Sequence, residues 1–146
     1  NMNTSLNFRK EPFALLLLTT ILLLFVLALR PVSNIDFQDK VVFGVPLENM
    51  VWIIPCFLVS LWLLYLVTKK FLYSTKATWI HVIVTVASTL LIVSVLYIGM
   101  NPTPKIAQRH ELVGSIIQIV TLLFIAGQIT YIVNIFLGIT KRKKEI

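Results

Sequence analysis

The chain has 146 residues, of which 58% are hydrophobic and 13% charged, and its mean hydropathy is +0.90. A soluble domain carries roughly twice that charge and needs more polar residues to cover its surface. A water-soluble enzyme domain is therefore excluded, and so is a disordered chain, which is poor in apolar residues. The net charge of +7 comes from 13 Lys+Arg against 6 Asp+Glu. These cations stand in short clusters between apolar runs, a pattern of membrane topology rather than of a nucleic-acid surface.

A helix rises about 1.5 Å per residue, so roughly 20 apolar residues cross a bilayer core. Four runs approach or exceed that length: 13–29 (FALLLLTTILLLFVLAL), 50–67, 79–98 and 112–139. None contains Asp, Glu, Lys or Arg. In hydrocarbon each backbone amide must be bonded within its own segment, so the runs are predicted to be helices. The first run is longer than the apolar core of a signal peptide and lacks a small-x-small cleavage site before Arg30-Pro31, so it is expected to be retained. The expected architecture is all-α: one transmembrane domain over residues 1–146, an integral membrane four-helix bundle.

Basic residues set its direction. Arg9, Lys10, Lys69, Lys70, Lys76, Lys141, Arg142, Lys143 and Lys144 fall on one side of these spans, and Arg30, Lys40, Lys105 and Arg109 on the other. The positive-inside rule then predicts both termini in the cytoplasm. The compact chain with little tail points to a bacterial inner (plasma) membrane. Trp52, Trp62, Tyr65, Tyr73, Trp79 and Tyr97 stand near span ends and are read as interfacial anchors. Cys56, the single cysteine, is read as a small buried hydrophobe. The outer loops are expected over 30–49, with Asp36, Asp39 and Glu48, and over 99–111, with Pro102 and Pro104. The three acids there are too few and too poorly spaced for a metal site.

Polar residues inside the apolar runs are the candidate functional positions, because lipid offers them no partner. Span 3 carries Thr78, His81, Thr85 and Ser88 at spacings of three and four, which is one helix face. Span 4 carries Gly114, Gln118, Thr121 and Gln128, with Asn134 further on. His81, Thr85, Ser88, Gln118, Thr121, Gln128 and Asn134 are thus expected to form a packing or pocket face. His81 is also a candidate haem ligand. His110 is not expected to share one iron with it, since it opens span 4 on the opposite side of the membrane, about 25–30 Å away. His81 is instead expected to bond a polar neighbour on span 4, with Tyr131 and Asn134 at comparable depth in an antiparallel hairpin. No nucleophile, phosphate-loop or metalloprotease motif is present. No cofactor, catalytic residue or metal site is expected.

The order of segments resembles the C-terminal part of subunit I of haem–copper oxidases (cytochrome c oxidase). That family has a loop of the type D-x-H-D-T-Y-Y-V-V-A-H-F-H leading into a helix; here the stretch reads NIDFQDKVVFGVPLENM, with Asp39 at the aspartate of the HDTYY motif. The family helix opening K-I-H-F is matched by TWIHVIVTV, with His81 at its histidine. The closing G-M-P-R-R is matched by Gly99-Met100-Asn101-Pro102, and a final Q-L-L-F-L-x-N by GQITYIVNIF, with Gln128 and Asn134 in place. The resemblance covers about residues 30–140 and, with span 1, implies the last four of twelve helices. It also implies a scaffold without its active site. Pro46 and Glu48 stand where the family has its haem-binding histidines, Thr103 and Pro104 where it has propionate-binding arginines, and the copper ligands belong to helices outside this stretch.

The expected function is that of a non-catalytic membrane protein, an accessory or assembly partner. It would work against membrane lipids with a membrane-protein partner or a second copy, and no nucleic acid. A haem- or quinone-binding electron-transfer protein and a small oligomeric transporter or channel are the alternatives.

Overall fold

The computed structural model describes residues 11–29, 41–42, 45–100 and 110–144, with side chains described for 11–29, 52–95 and 114–142. The described residues include four α-helices: α1 (Ala14–Leu29), α2 (Leu47–Thr68), α3 (Thr75–Met100) and α4 (His110–Lys144). A 3-10 turn, Lys69–Phe71, follows α2 directly. Before α2, the dipeptide Val41–Val42 (β1) pairs antiparallel with Val45–Pro46 (β2), Val41 opposite Pro46 and Val42 opposite Val45. The remainder of the stretch between α1 and α2, including Asp36 and Asp39, lies outside the described residues, as does 101–109.

Among the described residues, three helices are long and apolar enough to cross a membrane, over Trp52–Phe71, Thr75–Val95 and Gly114–Arg142. The fold is the expected helical membrane bundle, with differences at its ends. The helix α1 has 16 residues, about 24 Å, and falls short of a full hydrocarbon core. In α2 the helix begins at Leu47 rather than Met50 and runs unbroken through Pro55. The helix α4 has 35 residues, about 52 Å, because helical structure continues beyond the apolar run 112–139 at both ends, through the basic cluster to Lys144.

The helix α3 is inside-out relative to a helix of a soluble bundle. In α3 the buried positions are Thr78, His81, Thr85, Ser88 and Thr89, with Val82 as the apolar member, while Ile80, Ile83, Leu90 and Leu91 face outward. Lipid is as apolar as leucine, so nothing drives aliphatic side chains inward, whereas polar ones gain partners only there. Several hydroxyls bond the backbone of their own helix: Thr20 to the Leu16 carbonyl, Ser60 to Cys56, Thr121 to Ile117 and Thr130 to Ala126, at 2.8–2.9 Å.

One apolar cluster joins α1, α2, α3 and α4: Phe13, Leu16, Leu23, Leu58, Leu61, Tyr65, Val82 and Tyr131. In α1 the buried seam is Leu16, Thr20, Leu23 and Leu27, at spacings of four, three and four, and it packs mainly on α2. The most extensive contact is antiparallel α3 on α4. Two glycines permit it. A Cβ at Gly127 would stand 3.1 Å from Val84 Cγ1, and one at Gly138 would overlap the carbonyl oxygen of Phe71 in the α2–α3 turn. Small residues at helix contacts allow such approach.

Two expectations about single side chains are corrected. Cys56 is exposed, not buried; the buried edge of α2 runs through Pro55, Leu58, Leu61 and Tyr65, and Cys56 is turned about 100° from Pro55. Tyr65 is completely buried rather than interfacial. Trp52 and Tyr73 are exposed and Trp62 and Trp79 half-buried, as suits anchors, and the side chain of Tyr97 lies outside the described residues.

Candidate functional site

Where α2, α3 and α4 meet, near the end of the bundle that carries the α2–α3 turn, buried polar side chains join into a directed chain of hydrogen bonds. Tyr65 on α2 and His81 on α3 approach to 2.6 Å between the phenol oxygen and Nδ1. On its other side, His81 Nε2 stands 3.2 Å from Gln128 Oε1 on α4. Gln128 Nε2 donates to Thr85 Oγ1 at 3.1 Å and toward the Phe124 carbonyl at 3.5 Å. The two acceptors around its NH2 fix the orientation of the carboxamide. Its oxygen then faces the ring, so His81 donates through Nε2–H and accepts at Nδ1, and Tyr65 O–H is the donor to Nδ1. The order runs Tyr65, His81, Gln128, Thr85.

Aromatic contacts hold these groups in place. Phe13, just before α1, stacks on Tyr65 with centroids 5.3 Å apart and planes 9° apart. Tyr131 on α4 meets Tyr65 edge-on at 4.6 Å and lies over the His81 ring at 5.2 Å. The Tyr131 hydroxyl is 2.8 Å from Thr68 Oγ1 at the end of α2, and that hydroxyl also donates to the Leu64 carbonyl at 2.7 Å. Tyr131 O–H is thereby the donor in the pair.

One turn along α4, Asn134 clamps the α2–α3 turn. Its Oδ1 accepts from the Ser74 amide at 2.8 Å, and its Nδ2 donates to the Ser74 carbonyl and to Thr78 Oγ1, both at 3.1 Å. The Tyr73 amide adds a bond to the Asn134 carbonyl at 3.2 Å. Ser74 in turn caps α3, its Oγ accepting from the Ala77 amide at 3.4 Å. No buried side-chain nitrogen or oxygen among the described residues lacks a hydrogen-bond partner.

The structure brings together His81, Thr85, Gln128 and Asn134, and buries Ser88 on the same face of α3. His81 does bond a polar neighbour on α4, but the neighbour is Gln128. Tyr131 contributes ring contact, and Asn134 binds the turn instead. Gln118 and Thr121 are corrected: both are exposed. The contact edge of α4 is Val120, Gly127, Tyr131, Asn134 and Gly138, and residues 115–119 are all exposed. Sequence reasoning missed Tyr65 and Thr68. Tyr65 falls three and four residues along the Leu58–Leu61 seam, and that periodicity is the signal that separates a core tyrosine from an anchor.

Chemically the site is closed. A metal at either ring nitrogen of His81 would displace Tyr65 or Gln128. His110, the first residue of α4, stands 18 positions and about 27 Å of helix from Gln128, so the two histidines occupy opposite ends of the bundle. Among the described residues no group of three or more His, Cys, Asp or Glu is placed to hold a metal ion. Comparison with protein families, with curated proteins and with solved structures gives no match.

Proposed function

We propose that this chain is a non-catalytic integral membrane protein that acts by lateral association with a partner in the bilayer, in an accessory or assembly role on an oxidase-like helical scaffold. One observation carries the reading. Gln118 lies on the exposed side of the apolar stretch Gly114–Arg142 and takes no hydrogen bond among the described residues. The carboxamides of Gln128 and Asn134, on the same helix, are fully engaged within the chain. An unpaired carboxamide facing hydrocarbon is satisfied by a neighbouring helix, and the first half of α4 offers room for one. The engaged ring nitrogens of His81 favour this reading over an electron-transfer role.

The setting is a bacterial inner membrane with both termini in the cytoplasm. The convergence of Lys69, Lys70, Lys141 and Arg142 at one end of the bundle supports that direction.

The test is photo-crosslinking in the native membrane from a photoreactive residue at Leu122, one turn beyond Gln118, followed by purification in mild detergent and mass spectrometry. A defined crosslinked species that Gln118→Leu weakens is expected. Recovery of a lone monomer without crosslinks, from the wild type and the variant alike, would refute the proposal. A Soret band in the purified protein would revive the electron-transfer alternative.

A further inference from the structure

At the end of the bundle where the α2–α3 turn lies, a cleft of about 430 Å³ opens between the segment leading into α1 and that turn. Its walls differ in character. Pro12, Phe13 and Leu72 make an apolar side; Lys69, Lys70, Tyr73 and Thr75 make a polar one, with Glu11 at the rim. The membrane-crossing stretches begin or end at this level, at Phe71 and Thr75, which puts the cleft at headgroup depth. From that geometry we infer that the cleft is a binding site for the headgroup of an anionic phospholipid.

Charge and position support this occupant. Lys69 and Lys70 face a single carboxylate, so the cleft carries excess positive charge. The Lys69–Glu11 contact is 3.7 Å with both side chains about half exposed. That is long beside the 2.7–2.9 Å of a charge-assisted hydrogen bond, so Lys69 is free to exchange Glu11 for a phosphodiester oxygen. Lys70 itself lines the cleft, and its ammonium also lies over the Phe71 ring, 4.9 Å from the centroid. Thr75 places the first turn of α3 in the wall, and the partial positive charge of that helix end adds to the lysines. The apolar side, Pro12, Phe13 and Leu72, suits the acyl chains that hang from a headgroup, which a free anion lacks.

A second basic pair provides the control. Lys141 and Arg142 lie at the same end but outside the cleft, over the rings of Tyr73 and Phe71 at 5.7 and 5.6 Å. A diffuse surface potential acts through both pairs equally, whereas a built site depends on Lys69 and Lys70.

The experiment is native mass spectrometry of the full chain in neutral detergent, titrated with phosphatidylglycerol or with phosphatidylcholine of the same acyl chains. Phosphatidylglycerol is expected to be retained in preference. K69Q/K70Q should weaken its binding by about tenfold or more, taking each interfacial lysine at its usual worth, while K141Q/R142Q leaves it nearly unchanged. E11Q should strengthen it, because it removes the competing carboxylate. Equal losses from the two basic pairs, equal retention of the two lipids, or full displacement of the lipid by inorganic phosphate would each overturn the inference. The readout does not involve Gln118, so it stands or falls separately from lateral association.

Discussion

The Tyr65 phenol and His81 Nδ1, on neighbouring helices, lie 2.6 Å apart with both residues fully buried, and the contact ties α2 to the α3–α4 pair. Besides it, the hydrogen bond described between α2 and the α3–α4 pair is Thr68 to Tyr131 at 2.8 Å; the rest is apolar contact, which lipid supplies equally well. Tyr65→Phe keeps the ring stack on Phe13 and removes one donor, leaving Nδ1 of His81 unsatisfied. The expected loss is about 1 kcal/mol, seen as a lower melting temperature by circular dichroism in detergent. His81→Leu removes the partners of the Tyr65 hydroxyl and of Gln128 Oε1 and should cost more. Melting of the two variants at the wild-type temperature would show that the chain of bonds contributes nothing to stability.

Asn134 makes four polar contacts with the α2–α3 turn and α3, three through its side chain and one through its carbonyl. Asn134→Leu strands the Ser74 amide, so a destabilisation of about 2 kcal/mol is expected, with faster hydrogen exchange confined to 69–78. Exchange in that turn at the wild-type rate would contradict the clamp.

Gly138 and Gly114 make a matched pair of tests. At Gly138 an added methyl meets the Phe71 carbonyl, whereas at Gly114 it meets nothing within 4 Å. Gly138→Ala should destabilise by about 2 kcal/mol or more, because backbone must move. Gly114→Ala should be neutral or slightly stabilising, since alanine is the better helix former by about 1 kcal/mol. Thermal unfolding of the two variants side by side decides it.

Cys56 is the single cysteine of the chain and is exposed on α2 within the apolar stretch Trp52–Phe71. A nitroxide attached there in a bilayer should collide with dissolved oxygen far more often than with a charged aqueous nickel chelate. The reverse ratio, measured by power-saturation electron paramagnetic resonance, would mean that this face of α2 meets water rather than lipid.

Topology is the last prediction. Reporters fused after Lys144 should fluoresce when they require the cytoplasm and stay inactive when they require export, because the cations at that end resist translocation. An active exported reporter would reverse the assignment of both termini.

The sequence by itself determined that this is a helical membrane bundle, since apolar runs of this length have one stable backbone solution in hydrocarbon. It also determined the inner face of α3, because Thr78, His81, Thr85 and Ser88 share one side at helical spacing. Only the tertiary structure decided the partners. Periodicity orients a side chain about its own helix but carries no information on the depth or rotation of the next one. His81 therefore had several equivalent neighbours until α4 was seated, and Gly138 against the Phe71 carbonyl sets that seat. The same argument explains Gln118 and Thr121, which share residue type with the buried polar positions and differ in lying on exposed faces of α4. Tyr65 was hidden for a related reason. An aromatic ring near a span end suits the interface as well as the core, and the position of α1 with Phe13 put it in the core.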